Sequence, residues 1–156
     1  MPFAPPPPLE TLSSYPEIRL PAVSQERVHL PLGLSPVSAG FPSPAEDYED
    51  KRLDINDYLV SNRASTFFFQ VQGCSMEGAQ IFDGDMLVVD RSVRPVHGQI
   101  VVAFLDGERL VKRLHHQEGR VALLAEHPEY PDIELTGETE LVIWGVVVGK
   151  FSKVPA

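Results

Sequence analysis

The sequence predicts a mainly β protein, an antiparallel body of short strands behind an extended N-terminal arm. Three observations carry that expectation. From Thr66 onward, runs rich in Val, Ile and Phe recur at short intervals. Turn signals separate them, namely Asp83-Gly84-Asp85, His97-Gly98, Asp106-Gly107 and Glu118-Gly119. Eleven of the 15 prolines fall between Pro2 and Pro44.

Proline fixes φ and removes a backbone donor, so residues 1–42 are expected to be extended or irregular. A helix-turn-helix module, which needs regular helices, does not fit such a stretch. Leu20, Val23, Val28, Leu30, Leu32 and Leu34 would let parts of the arm lie against the body. The arm ends in Ser38-Ala39-Gly40-Phe41-Pro42, small residues that read by themselves as a flexible linker. Ser43 as N-cap, Pro44 at the first helical position and Glu46 in the first turn form a capping box for a short helix. Asp54 caps a second, with Ile55, Tyr58 and Leu59 on one apolar face and Ser61-Asn62 closing it.

The strands are then placed at Thr66–Gln72, Met86–Asp90, Gln99–Leu105, Arg109–His115, Arg120–Ala125 and Leu141–Phe151. Asp106-Gly107 between two apolar runs is a strong hairpin signal. Many short strands in succession favour antiparallel pairing.

Composition narrows the function. The chain has 156 residues, enough for one modest core, with 43% hydrophobic and 22% charged residues. Its net charge of -9 argues against direct binding to duplex DNA, because phosphate contacts need clustered Lys and Arg. No run approaches the roughly 18 to 20 apolar residues that span a bilayer, so no membrane association is expected. The start, Met1-Pro2-Phe3-Ala4 and four prolines, has neither the basic nor the apolar part of a signal peptide. The single cysteine, Cys74, excludes an internal disulfide and makes a cytoplasmic setting the expectation.

Two residues have the makings of a site. In Leu110-Val111-Lys112-Arg113-Leu114, strand alternation puts Leu110, Lys112 and Leu114 on one face and Arg109, Val111 and Arg113 on the other. If the leucines point inward, burial favours the neutral amine of Lys112, which is then available as a base. The other reading is an edge strand whose lysine reaches solvent along its stem. Ser75, in Gly73-Cys74-Ser75-Met76, follows a strand end where a hydroxyl can meet a substrate, and a neutral lysine can activate it. Alone, it reads as a capping or turn serine rather than a nucleophile. Glu77 stands where a hydrolase elbow needs glycine, and no Ser-x-x-Lys starts at Ser75. A cysteine-protease reading of Cys74 finds no histidine to assign as partner. His115 and His116 face opposite sides of a strand and make a poor metal pair, so neither metal nor cofactor is expected. The acids Glu46, Asp47, Glu49 and Asp50 read as a solvated face.

Several stretches together resemble a known family. Gly73-Cys74-Ser75-Met76, Asp83-Gly84-Asp85-Met86-Leu87-Val88-Val89-Asp90, His97-Gly98-Gln99-Ile100-Val101 and Leu110-Val111-Lys112-Arg113-Leu114 are similar to the self-cleaving domain of the LexA/UmuD family. Ser75 and Lys112 stand 37 positions apart, as that family's Ser-Lys pair does. The resemblance covers roughly residues 39–150, and linked motifs at fixed spacing are more specific than any one alone. Gly40-Phe41-Pro42-Ser43-Pro44-Ala45, then Asp47-Tyr48, and Gly145-Val146-Val147-Val148 resemble the UmuD branch. So do the acidic charge and a proline-rich arm where LexA carries a DNA-binding domain.

The resemblance implies a fold like the LexA/UmuD C-terminal domain, and roles by position. Ser75 would be the nucleophile and Lys112 the general base. The backbone N–H groups of Cys74 and Ser75 would form the oxyanion hole. Ala39 and Gly40 would flank the scissile bond, making residues 1–39 a removable arm and 40–156 the catalytic and dimerisation domain. UmuD has an acidic residue where Cys74 stands, and a shorter arm; only the backbone is needed at position 74. The implied function is a self-cleaving accessory subunit of an error-prone translesion polymerase in the SOS response. Its partners would be a second copy in a homodimer, a Y-family DNA polymerase subunit, and a recombinase filament on single-stranded DNA as activator. A Ser-Lys peptidase acting on other proteins, or a non-catalytic binding module of the same fold, remain the alternatives.

Overall fold

A computed structural model of the chain describes residues 27–33, 37–41 and 51–155. These fall into two units, one within residues 22–61 and one within residues 62–156.

In the smaller unit, two-residue strands β1 (Leu30–Pro31) and β2 (Arg52–Leu53) pair antiparallel, Leu30 opposite Leu53. The expected extended backbone is therefore present at Leu30–Pro31, but it is paired. A short helix, Ile55–Leu59, follows. Asp54 caps it as predicted, its carboxylate accepting from Asn56 N at 2.8 Å. The apolar face expected of this helix is not buried: Ile55 is exposed and Tyr58 is 74% exposed. Five residues make barely more than one turn, too little to press a stripe onto a neighbour. The capping box at Ser43–Glu46 lies outside the described residues, as does the arm before Arg27.

The larger unit is a seven-stranded, fully antiparallel sheet. Its strands are β3 (Thr66–Gln70), β4 (Met86–Asp90), β5 (Ile100–Leu105), β6 (Glu108–Gln117), β7 (Arg120–Leu124), β8 (Ile133–Glu134) and β9 (Leu141–Phe151). Their order is β3-β4-β9-β5-β6-β7-β8. The final strand therefore lies at the centre of the sheet. Its first half pairs with β5 and its second half with β4, and the register slips once against each. One slip skips Trp144, between Gly145 and Ile143, and the other skips Val148, between Gly149 and Val147. Bulges bend and twist the strand that carries them, which curls this sheet.

Both faces are apolar. Phe67, Met76, Leu87, Val89, Val102 and Trp144 lead one cluster. Trp144 is wholly buried, edge-on to the rings of Phe67 at 4.9 Å and Phe69 at 4.8 Å. Val101, Ala103, Leu114, Leu123, Ile143 and Val146 form the other. The alternation read along β6 holds: Leu110 and Leu114 pack in the second cluster, while Val111 packs in the first. What pattern alone did not reveal is that both faces have a core. At the end of β4, burial pushes the Asp90 carboxyl up, but hydrogen bonds from Ser92 and Ser65 outweigh it and hold the group below its usual range.

Asp106-Gly107 and Glu118-Gly119 form the two hairpin turns, each with positive φ at both residues. Strand ends moved by one or two residues from expectation, and β8 had no clear sequence signal. A side chain at Gly107 meets open space, so Gly107→Ala isolates the cost of its φ of 85°. That variant is expected to lose about 1–2 kcal/mol of stability, read from urea unfolding midpoints at unchanged m-value.

Candidate active site

The site forms where the β3–β4 loop meets β6. The loop is tied at both ends: Val71 N donates to Asp85 O at 2.8 Å, and Gly84 N to Val71 O at 2.9 Å. Each acid of the Asp83-Gly84-Asp85 turn has a partner. Asp83 accepts from Gly73 N at 2.7 Å, and Asp85 accepts from Phe82 N at 3.0 Å and from Lys150 Nζ of β9 at 2.8 Å. The Lys150 bond and the Phe82 amide keep the buried Asp85 carboxyl below its usual range. Inside the loop, Met76 is 1% exposed and anchors the main core together with Ile81. Ser75 therefore sits one residue from a fixed apolar plug, itself only half-buried.

Opposite it, β6 holds Lys112 by hairpin pairing with β5, Lys112 facing Val101. Lys112 Nζ lies 2.6 Å from Ser75 Oγ and 3.2 Å from Val111 O. Burial pushes the lysine pKa below its ordinary 10.5, because the charged form loses hydration there. Ser75 and Lys112 are thus brought together, with the amine biased toward the form that can accept a proton.

Among the described residues, neither the Cys74 nor the Ser75 N–H donates a hydrogen bond within the protein. Cys74 directs its thiol elsewhere: Sγ is 3.1 Å from the Tyr130 hydroxyl. Ala39 and Gly40 lie in an exposed bend at 39–41, within the smaller unit, where Gly40 N donates to Ser38 Oγ at 3.2 Å. A groove on the larger unit is lined by Phe69, Val71, Leu87, Val102, Leu110 and Val111; neither Ser75 nor Lys112 lines it.

Pattern reading missed the segment after β7. Glu126 N donates to Ser75 O at 2.8 Å, and Gly78 N donates to Glu126 O at 2.7 Å. The Glu126 carboxylate also pairs with Arg113. The signal was present in hairpin arithmetic: pairing across Glu118-Gly119 sets Arg113 opposite Leu124, which leaves Glu126 as its diagonal neighbour.

Comparison with known proteins identifies the family. A family described as Peptidase S24-like matches residues 31–148. The chain belongs to that family. It is similar to Protein MucA of Salmonella typhimurium, 44% identical over 131 residues, covering 83% of this chain and 89% of that one. It is similar to Protein SamA of Salmonella typhimurium, 43% identical over 136 residues, 86% of this chain and 94% of that one. The LexA repressor of Cupriavidus pinatubonensis is 35% identical over 134 residues, 85% of this chain and 61% of the repressor. The chain is a UmuD-like member of the LexA/UmuD group of S24-like peptidases, typically self-cleaving serine peptidases of the SOS response. Among the described residues no helix is long and apolar enough to cross a membrane, and no His, Cys, Asp and Glu cluster is placed to hold a metal ion.

The lysine shift has a thermodynamic consequence. Between its lowered folded pKa and 10.5, Lys112 is deprotonated in the folded chain while still protonated in the unfolded one. In that window the unfolded state binds more protons, so stability rises with pH until 10.5 is passed. Measured in a Ser75→Ala background, that rise is expected to be larger than in Ser75→Ala/Lys112→Met; equal slopes would mean an unperturbed lysine.

Proposed function

We propose that this S24-like chain cleaves its own Ala39–Gly40 bond through Ser75 and Lys112, and thereby becomes the working subunit of an error-prone translesion polymerase. The observation that carries the reading is the half-buried Lys112 amine 2.6 Å from the Ser75 hydroxyl. The neutral amine takes the Ser75 proton as Oγ bonds to the Ala39 carbonyl carbon. The oxyanion that forms is met by the backbone N–H groups of Cys74 and Ser75, donors worth a few kcal/mol each in sites of this type. The Ala39–Gly40 bond breaks as the Lys112 ammonium returns its proton to the Gly40 nitrogen. Water then attacks the acyl-serine, and Lys112 takes the water proton and passes it to Oγ as the acyl–oxygen bond breaks.

Residues 1–39 leave as the arm and residues 40–156 remain as the catalytic and dimerisation domain. The arm holds three acids (Glu10, Glu17, Glu26) and two bases (Arg19, Arg27), so its loss changes the net charge by a single unit. The switch therefore works by uncovering surface rather than by altering the field. The full chain is cut in response to a recombinase filament on single-stranded DNA, and the shortened chain then acts as a homodimer in the cytoplasm and joins a Y-family polymerase subunit. Similarity over 83% of the chain to Protein MucA and over 85% to the LexA repressor supports this setting.

Purified protein held at alkaline pH and followed by mass spectrometry is expected to yield a fragment beginning at Gly40, faster as pH rises and the amine loses its proton. Ser75→Ala and Lys112→Ala are each expected to slow its release by at least about a thousandfold, the scale of losing a nucleophile or its base. Release of the same fragment from Ser75→Ala would overturn the dyad, and cleavage of unrelated peptides alone would favour a general peptidase.

A further inference from the structure

Glu126 touches both halves of the site. Through its backbone it is bonded to the nucleophile loop twice, accepting from Gly78 N and donating to Ser75 O. The fit is close: a Cβ on Gly78 would stand 2.6 Å from the Glu126 backbone oxygen, nearer than side chains come to backbone. Through its side chain Glu126 pairs with Arg113 Nε, and Arg113 is the residue after Lys112. A second Arg113 nitrogen, Nη1, donates to Gly98 O at 2.7 Å, so the guanidinium is held at both ends.

The two side chains of the pair are 34% and 27% exposed, an exposure at which an ion pair contributes little to global stability. Its geometric effect is larger. Displacing a reacting group by about 1 Å can cost on the order of a hundredfold in rate.

We propose that Glu126 is a positioning residue that, through Arg113, sets the separation of Ser75 and Lys112. The proposal rests on the Ser75–Lys112 reading above. On this view the bridge couples the loop bearing the nucleophile to the strand bearing the base, so that neither can drift without moving the other.

The test follows release of the Gly40 fragment by full-length wild type, Glu126→Ala, Glu126→Gln, Arg113→Met and the double variant Glu126→Ala/Arg113→Met. Rates are taken well below each melting temperature. Glu126→Ala and Arg113→Met are each expected to be slower by roughly tenfold or more. The double variant is expected to be no slower than the slower single one, since both act through one bridge. Glu126→Gln keeps a carbonyl oxygen for Arg113 Nε and is expected to recover part of the rate at an unchanged melting temperature, which a loss of stability alone would not produce. Wild-type rates in Glu126→Ala, additive losses in the double variant, or rates that merely follow melting temperature would each overturn the proposal. Should Glu126→Ala lose its far-UV circular dichroism, Arg113→Met carries the same test from the other end. Unfolding of every variant would make the bridge a stability element and overturn the positioning role. Cleavage persisting in Ser75→Ala would instead strike the dyad reading, so the two failures are distinguishable.

Discussion

A lysine amine held close to a serine hydroxyl, in a place where its charge is poorly hydrated, is the constraint around which this body is arranged. Serine is a weak nucleophile and lysine a poor base at neutral pH, and proximity alone changes neither fact. Burial changes the lysine, by making the ammonium costly. Keeping the amine there requires rigid neighbours, since a flexible four-carbon stem would otherwise carry it to water. The Lys112 position in a hairpin and the Met76 plug beside Ser75 are both answers to that requirement.

The curl of the sheet answers it on a larger scale. Ser75 follows β3, at one edge of the strand order, whereas Lys112 lies on β6, four places along. A flat sheet would hold strands so separated far apart, because neighbouring strands are about 4.8 Å apart. The two bulges in β9 lie in the strand between them, and Trp144, skipped by one bulge, packs edge-on against Phe67 and Phe69. The central strand thus bends the sheet, and an aromatic core holds the bend.

Much of this was legible in the sequence, for physical reasons that can be named. The six long strands announce themselves by β-branched runs and by Asp-Gly or Glu-Gly turns whose positive φ favours glycine. Alternation placed Lys112 with Leu110 and Leu114, and the structure keeps that face. Less was legible where structure depends on meeting partners. Strands of two residues, β1, β2 and β8, have no periodicity to read. The apolar positions of the Ile55–Leu59 helix had the right spacing but found no core to bury them. Nothing in the sequence pattern singles out the Glu126 backbone, because its contact is a meeting with Ser75 across 51 residues of chain.

Cys74 shows how such a site separates the work of adjacent residues. A thiol one position from Ser75, the proposed nucleophile, could have competed for the same chemistry. The loop turns it away from that role, since its Sγ engages the Tyr130 hydroxyl, whereas Ser75 Oγ engages the lysine. Tyr130 stands on the same segment as Glu126, just beyond β7. That segment therefore meets the Ser75 loop through a side chain at position 74, a carbonyl at position 75 and an amide at position 78. Three contacts over five residues leave the loop little freedom to rotate, and the hydroxyl that remains unclaimed by the segment is the one facing Lys112. The chemistry proposed for Ser75 then depends on what its neighbours are prevented from doing as much as on the lysine itself.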